Sequence, residues 1–198
     1  MPDRSSPRTF GVMLEKTDGK NLDTLTLRDL PARKGARPKT LRGPLHIQFS
    51  GHGDRKYVDQ LVMDVLSWPH IETLAHPHDP TATIPIRFEK AAATLDSAPF
   101  ISAREFARVL LGVPTIYLAL PLVCAHWAIV QGWAEPHYLG SVGLLPAGTV
   151  VVYTPKNREE LAICYSLFFA AYHSAFPRKN DQAAIASLEM SSRSSVSA

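Results

Sequence analysis

Cysteine is scarce in this chain: two residues among 198, Cys124 and Cys164, each inside an apolar stretch. Two such thiols cannot frame a disulfide-built fold, and they make no CxxC pair for metal or redox work. They read as buried thiols in a reducing compartment, so a cytoplasmic location is expected. A surplus of one charge is lacking as well. Lys and Arg number 21 against 18 Asp and Glu, a net charge of +3, and no aromatic residue interleaves the basic series Arg33, Lys34, Arg37, Lys39 and Arg42. Nucleic-acid binders show a denser basic footprint, and no nucleic-acid partner is expected. Also missing are a GxSxG elbow, a Gly-rich phosphate cradle, a dinucleotide fingerprint and HExxH. No nucleotide, flavin or nicotinamide cofactor is therefore expected. The opening residues, MPDRSSPRTF, contain no apolar core of a secretory leader. No repeat of solenoid period is found.

What remains is an ordinary globular composition, 45% apolar and 20% charged, in a length that suits one domain. Residues 1–37 mix Ser, Pro, Arg and Asp without periodicity and read as an extended or disordered arm. The Ser-rich residues 178–198 read as a disordered tail. Between them, residues 38–177 form the expected folded unit. Val58, Leu61, Val62, Val65 and Leu66 predict a helix over Asp54–Trp68, with Asp54 as cap and Pro69 as stop. Thr83–Phe88 and Thr115–Leu120 predict strands, the first at a sheet edge because of Pro85. Pro121–Trp133 predicts a short buried helix with Pro at its first position. Thr149–Tyr153, rich in Val, predicts a strand covered on both faces. Asn157 with Glu160 predicts a capping box, opening a helix whose apolar face runs through Leu161, Cys164, Leu167, Phe168 and Tyr172. Helices alternating singly with short strands predict an α+β domain: a mainly antiparallel sheet with helices packed on one side.

The candidate chemistry lies among eight histidines: His46, His52, His70, His76, His78, His126, His137 and His173. A His-x-His pair on a strand converges on one ion. In HPHDP, however, Pro77 and Pro80 favour a turn, so His76 and His78 read as a polar loop and no metal is expected. His137, in WAEPHY between a helix and a strand, suits an acid, a base or a hydrogen-bond donor near neutral pH. Glu135 is the nearest carboxylate to orient it. Arg108, in REFARVLLG, offers a guanidinium for an enolate, carboxylate or pyrone oxygen. Arg104 and Glu105 lie just upstream, with ion pairs along the sheet as their default. Tyr117, Trp133 and Tyr138 are among the aromatic residues able to line a pocket for a flat ligand.

Three segments together point to a family. The run GWAEPHYLGSVGLLPAGTVVVYTPKN (residues 132–157) continues into REELAICYSLFFAAYHS. It resembles the C-terminal half of the fungal luciferase domain: a Gly-Trp, a His-containing loop, then Tyr-x-Pro-Arg/Lys-Asn-x-Glu-Glu at a strand-to-helix junction. Upstream, LPARKGARPKT is similar to the family's Leu-Pro-x-x-x-Gly-x-Arg-Pro entry segment. The likeness spans most of Leu30 to Phe176, and His137 stands where the family also has His. It implies fungal specialised metabolism of polyketide type and an oxidoreductase that works without an organic cofactor on an aromatic, phenolic or pyrone substrate. The segment Arg104–Gly112 departs from the pattern. Arg108 and Leu110 occupy two places that the family fills with histidines suited to proton transfer during attack of molecular oxygen. An Arg is no base at neutral pH, and Leu offers no polar group.

The expectation is accordingly an enzyme with His137 and Arg108 as its catalytic pair. Glu105, Arg104, Tyr117, Trp133, Glu135 and Tyr138 are expected around a small hydrophobic aromatic substrate, for oxygenation, cyclisation or isomerisation. The other readings are a binding protein without chemistry and a membrane-associated domain. The last rests on Val109–Val130, a run without a charged residue that is broken by Gly112, Pro114 and Pro121.

Overall fold

The computed structural model describes residues 27–75, 82–90 and 100–175. The arm up to residue 26, the HPHDP motif and the Ser-rich tail lie outside the described residues. A two-stranded ribbon comes first, β1 (Thr40–Leu41) and β2 (Ile47–Gln48), followed by helix α1 (Arg55–Leu66). Next come β3 (Ile71–Glu72), β4 (Thr83–Phe88), β5 (Glu105–Leu110), β6 (Thr115–Ala119) and helix α2 (Leu122–Val130). The chain closes with β7 (Ala134–Pro136), the one-turn α3 (Tyr138–Ser141), β8 (Thr149–Val152) and the long α4 (Arg158–Ala175). The six strands β3 to β8 form one antiparallel sheet in the order β3-β4-β5-β6-β8-β7. After β6 the chain crosses over through α2 to β7 at the sheet edge, and β8 then returns between them. This is the expected α+β architecture.

Local chemistry places the ends. Asp54 caps α1 by accepting the Lys56 N–H at 3.0 Å. Helical spacing then turns Val58, Leu61, Val62 and Val65 into the core. Pro121 stands at the N-cap of α2, one place earlier than its expected first helical position. Asn157 Oδ1 accepts the Glu160 N–H at 2.9 Å, as a cap should. Glu160 reaches past the cap, however: its Oε2 accepts from the Lys156 N–H at 3.0 Å and from Arg33 at 3.2 Å. Pro85 was expected to mark an edge. The outermost strand is instead β3, but it pairs only with Arg87 and Phe88, so among the described residues none pairs with β4 on that side at Pro85. A missing N–H therefore breaks no ladder there.

Helices α1, α2 and α4 pack on one face of the sheet. Leu61 and Val65 of α1, Cys124 and Ala128 of α2, and Leu167, Phe168 and Ala171 of α4 share one core with Ile84, Ile86, Phe106, Val109, Ile116, Leu118, Val150 and Val152. Leu27 and Leu30 join the same core, and the Trp133 indole donates to the Pro31 carbonyl at 2.7 Å. Residues 27–37, read from sequence as arm, are thus built into the domain. The uncharged run Val109–Val130 is divided among β5, β6 and α2, with β6 buried throughout. Among the described residues, no helix is long and apolar enough to cross a membrane.

Candidate functional site

The opposite face of the sheet carries the polar chemistry. Strand register aligns Pro85, Arg108, Tyr117, Val151 and Glu135 in one row across β4, β5, β6, β8 and β7. The adjacent row pairs Ala119 with Thr149, whose carbonyl accepts the His137 N–H at 3.0 Å. Tyr117, Ala119 and Val151 make a small apolar cluster with Ile101, Leu110 and Leu145, and the polar groups stand around it.

A β-bulge brings Glu105 to this face. Ile86 pairs with Ala107 but Arg87 pairs with Glu105, so Phe106 is an extra residue in β5. Phe106 and Ala107 both point into the helix-side core, and Glu105 is turned to the side of Arg108. Regular alternation would have parted residues three apart. Here Arg108 Nε and Nη2 donate to the two Glu105 carboxylate oxygens at 2.6 and 2.8 Å. The Ser102 hydroxyl adds a bond to Glu105 Oε2 at 2.6 Å. The bidentate pair holds the guanidinium as a fixed cation, its pKa raised above the usual arginine value chiefly by these bonds.

Glu135 anchors the ribbon. Its Oε1 accepts from the Thr40 hydroxyl at 2.5 Å and from His46 Nε2 at 2.6 Å, and its Oε2 from the Tyr153 hydroxyl at 3.0 Å. Arg42 lies 4.0 Å away. Burial pushes the carboxyl upward, but bonds from His46, Thr40 and Tyr153 outweigh it and bring the pKa to about 2. Tyr153 moves the other way, to about 12, through burial and the facing carboxylate. Both His46 nitrogens are engaged, because Nδ1 accepts the Tyr138 N–H at 3.0 Å. Nε2 must therefore carry the proton given to Glu135.

His137 is built differently. Its Nδ1 accepts the Leu139 N–H at 3.1 Å and so caps α3. The neutral tautomer consequently has its proton on Nε2. That atom is buried without a hydrogen-bond partner among the described residues, as are the Tyr117 hydroxyl and Thr149 Oγ1. The Tyr117 and His137 rings stand edge to face, centroids 4.6 Å apart, and His46 lies 5.4 Å from His137. Burial foremost, with smaller contributions from the neighbouring His46 and Arg108, lowers the His137 pKa to about 4, while burial raises that of Tyr117. Near neutral pH both side chains are uncharged donors. Of the three roles expected for His137, this geometry leaves that of donor.

His137, Arg108, Glu105, Tyr117 and Glu135 thus share one face. Arg104, Trp133 and Tyr138 do not join them. Arg104 has a left-handed backbone (φ 62°) and bonds the Phe88 carbonyl and Glu72 Oε1 beside β3. Trp133 belongs to the helix-side core, where its ring lies 5.8 Å from the Arg33 guanidinium. Tyr138 contributes its backbone N–H, and its side chain is exposed. A groove of about 400 Å³ is lined by Leu120, Pro121, Leu122, Pro146, Ala147, Gly148 and Ser174, none of them a site residue. Among the described residues, no three metal-ligating side chains converge. Sequence reasoning missed Thr40, Ser102 and Thr149, and it counted His46 among the candidate histidines without giving it a role. The alternation of His46 and Gln48 with Leu45, Ile47 and Phe49 was the signal for a strand with a polar inner face. No family model matches the chain, and no curated protein or solved structure is significantly similar to it.

Proposed function

We propose that this chain is a luciferase-domain-like protein of fungal, polyketide-type metabolism that takes an aromatic phenol or pyrone on the polar face of its sheet. It acts there without an organic cofactor. The observation that supports this most is the set of buried, unpartnered donors, His137 Nε2–H and the Tyr117 hydroxyl, beside the fixed Arg108 cation. A buried donor left unbonded costs stability, and such groups cluster where a ligand supplies the missing acceptor. If both donors reached one substrate oxygen, they would stabilise negative charge developing on it. A substrate oxygen held this way has its phenolate or enolate form stabilised, so that it gives its proton to water more readily, and that anion is the state that cyclises, isomerises or meets dioxygen. Arg108 and Leu110, at the two places where the resembling family has histidines, lie on this same face, which fits the departure noted in the sequence.

Purified protein incubated with a panel of phenols and pyrones, in air and under nitrogen, tests the reading. Product should form with wild type and be lost with His137→Ala and with Tyr117→Phe. Turnover unchanged in both variants would remove these residues from the reaction. A second reading, binding without chemistry, is favoured by the locked His137 tautomer, which supplies a donor but no base. Ligand affinity that depends on His137 and Tyr117, with no product under either atmosphere, would select it.

A further inference from the structure

The β1–β2 ribbon has its hydrophobic pattern turned inside out. Thr40, His46 and Gln48 face the sheet, the first two bonding Glu135 and the third reaching Thr154 Oγ1 at 3.2 Å. Strand alternation then sends Leu41, Ile47 and Phe49 outward, with Leu41 opposite Ile47 and the Phe49 N–H on the Lys39 carbonyl. Leu41, Leu45 and Phe49 are 59, 63 and 52% exposed. A ribbon facing water would present the reverse. The α3 segment beside it, tied on by the Tyr138 N–H to His46, leaves Val142 and Leu144 exposed as well.

Single exposed apolar residues need no explanation, but a contiguous set does. The charge carried by the ribbon segment itself has a single sign, with Glu135 beneath it on the sheet side. Lys34, Arg37, Lys39 and Arg42 are all exposed, no Asp or Glu occurs between Leu30 and Gly53, and no charged residue between Tyr138 and Pro155. Self-association through this face would set Lys39 and Arg42 against their own copies. A negatively charged, partly apolar layer satisfies both features at once. We propose that the outer face of the β1–β2 ribbon docks on an anionic lipid surface. Leu41, Leu45 and Phe49 would enter the boundary between headgroups and acyl chains, with Lys39 and Arg42 among the headgroups. Apolar insertion and basic attraction are the two signals that stable peripheral binding requires. The inference stands independently of the ligand proposed for the sheet face.

Flotation of the full chain with phosphatidylcholine vesicles, with and without a fraction of phosphatidylserine, tests it. The chain should float with the anionic vesicles alone and be released by high salt. Lys39→Gln and Arg42→Gln should each weaken binding about fivefold, and Leu45→Glu with Phe49→Glu should abolish it. Leu74→Glu, at an apolar residue 80% exposed elsewhere, should leave it unchanged. Equal flotation with both vesicle types, none with either, or insensitivity to all the ribbon substitutions would overturn the proposal. So would concentration-dependent self-association through the ribbon, or capture by polyglutamate or polynucleotide while anionic vesicles fail to compete.

Discussion

At the scale of single residues, the sheet face separates polar groups that are fully bonded from buried polar atoms with no partner among the described residues. Glu135 is saturated: Thr40, His46 and Tyr153 all donate to it, so its carboxylate has little left for a substrate. Tyr117 is the opposite case, a phenol buried to 6% exposure with an unbonded hydroxyl. Removing that oxygen removes an unsatisfied group while keeping the ring against His137. Tyr117→Phe should therefore raise stability by about 1 kcal/mol in urea titrations and weaken ligand binding about fivefold. A variant less stable than wild type would mean that the hydroxyl already has a partner in solution. Stability gained as binding falls is the expected mark of a functional polar group in a packed site.

Among the elements, the ribbon is the part most dependent on one side chain. Glu135→Gln keeps the shape but places an NH₂ among three donors, and should cost about 2 kcal/mol. Hydrogen exchange should show the Ile47 and Gln48 amides opening before those of β6 and β8. A second element-level constraint lies at Gly148, where an added Cβ would come within 1.9 Å of the Leu120 carbonyl oxygen. Gly148→Ala should lower stability by about 3 kcal/mol in denaturant titrations by forcing β6 and β8 apart. Long periodic elements were readable from sequence because their signals are local: α1 from Val58 to Val65 with its Asp54 cap, and α4 from Asn157. The β5 bulge was not readable. Nothing in EFARVL distinguishes a regular strand, in which Glu105 and Arg108 diverge, from the bulged one that pairs them; the extra residue is defined only against Ile86 and Arg87 across the sheet. The ribbon was missed because its strands are two residues each, so the five-residue alternation from Leu45 to Phe49 is a weak signal beside the long helices.

For the whole molecule, the sequence identified His137, Arg108 and Tyr117 by residue type; Arg108 and Tyr117 meet across the β5–β6 hairpin, but the approach of His137 depends on β8 entering between β6 and β7, a topology no local pattern encodes. The same assembly makes stability depend on pH through two groups from neighbouring positions of one chain segment. His137 falls from 6.5 to about 4 on folding. Between those values the unfolded chain binds a proton that the folded chain does not, so stability falls as pH drops through this window and loses no more to this group below it. Glu135 falls from 4.5 to about 2, and its contribution, intact above the unfolded value, is lost as pH drops through that lower window. Urea midpoints should decline in two stages on acidification. His137→Asn, whose amide oxygen can still cap α3, should flatten the upper stage and spare the lower; Glu135→Gln should flatten the lower and spare the upper. A His137→Asn profile as steep as wild type between pH 6.5 and 4 would show that the imidazole is not held neutral by its burial, and with it would go the donor role proposed for this face.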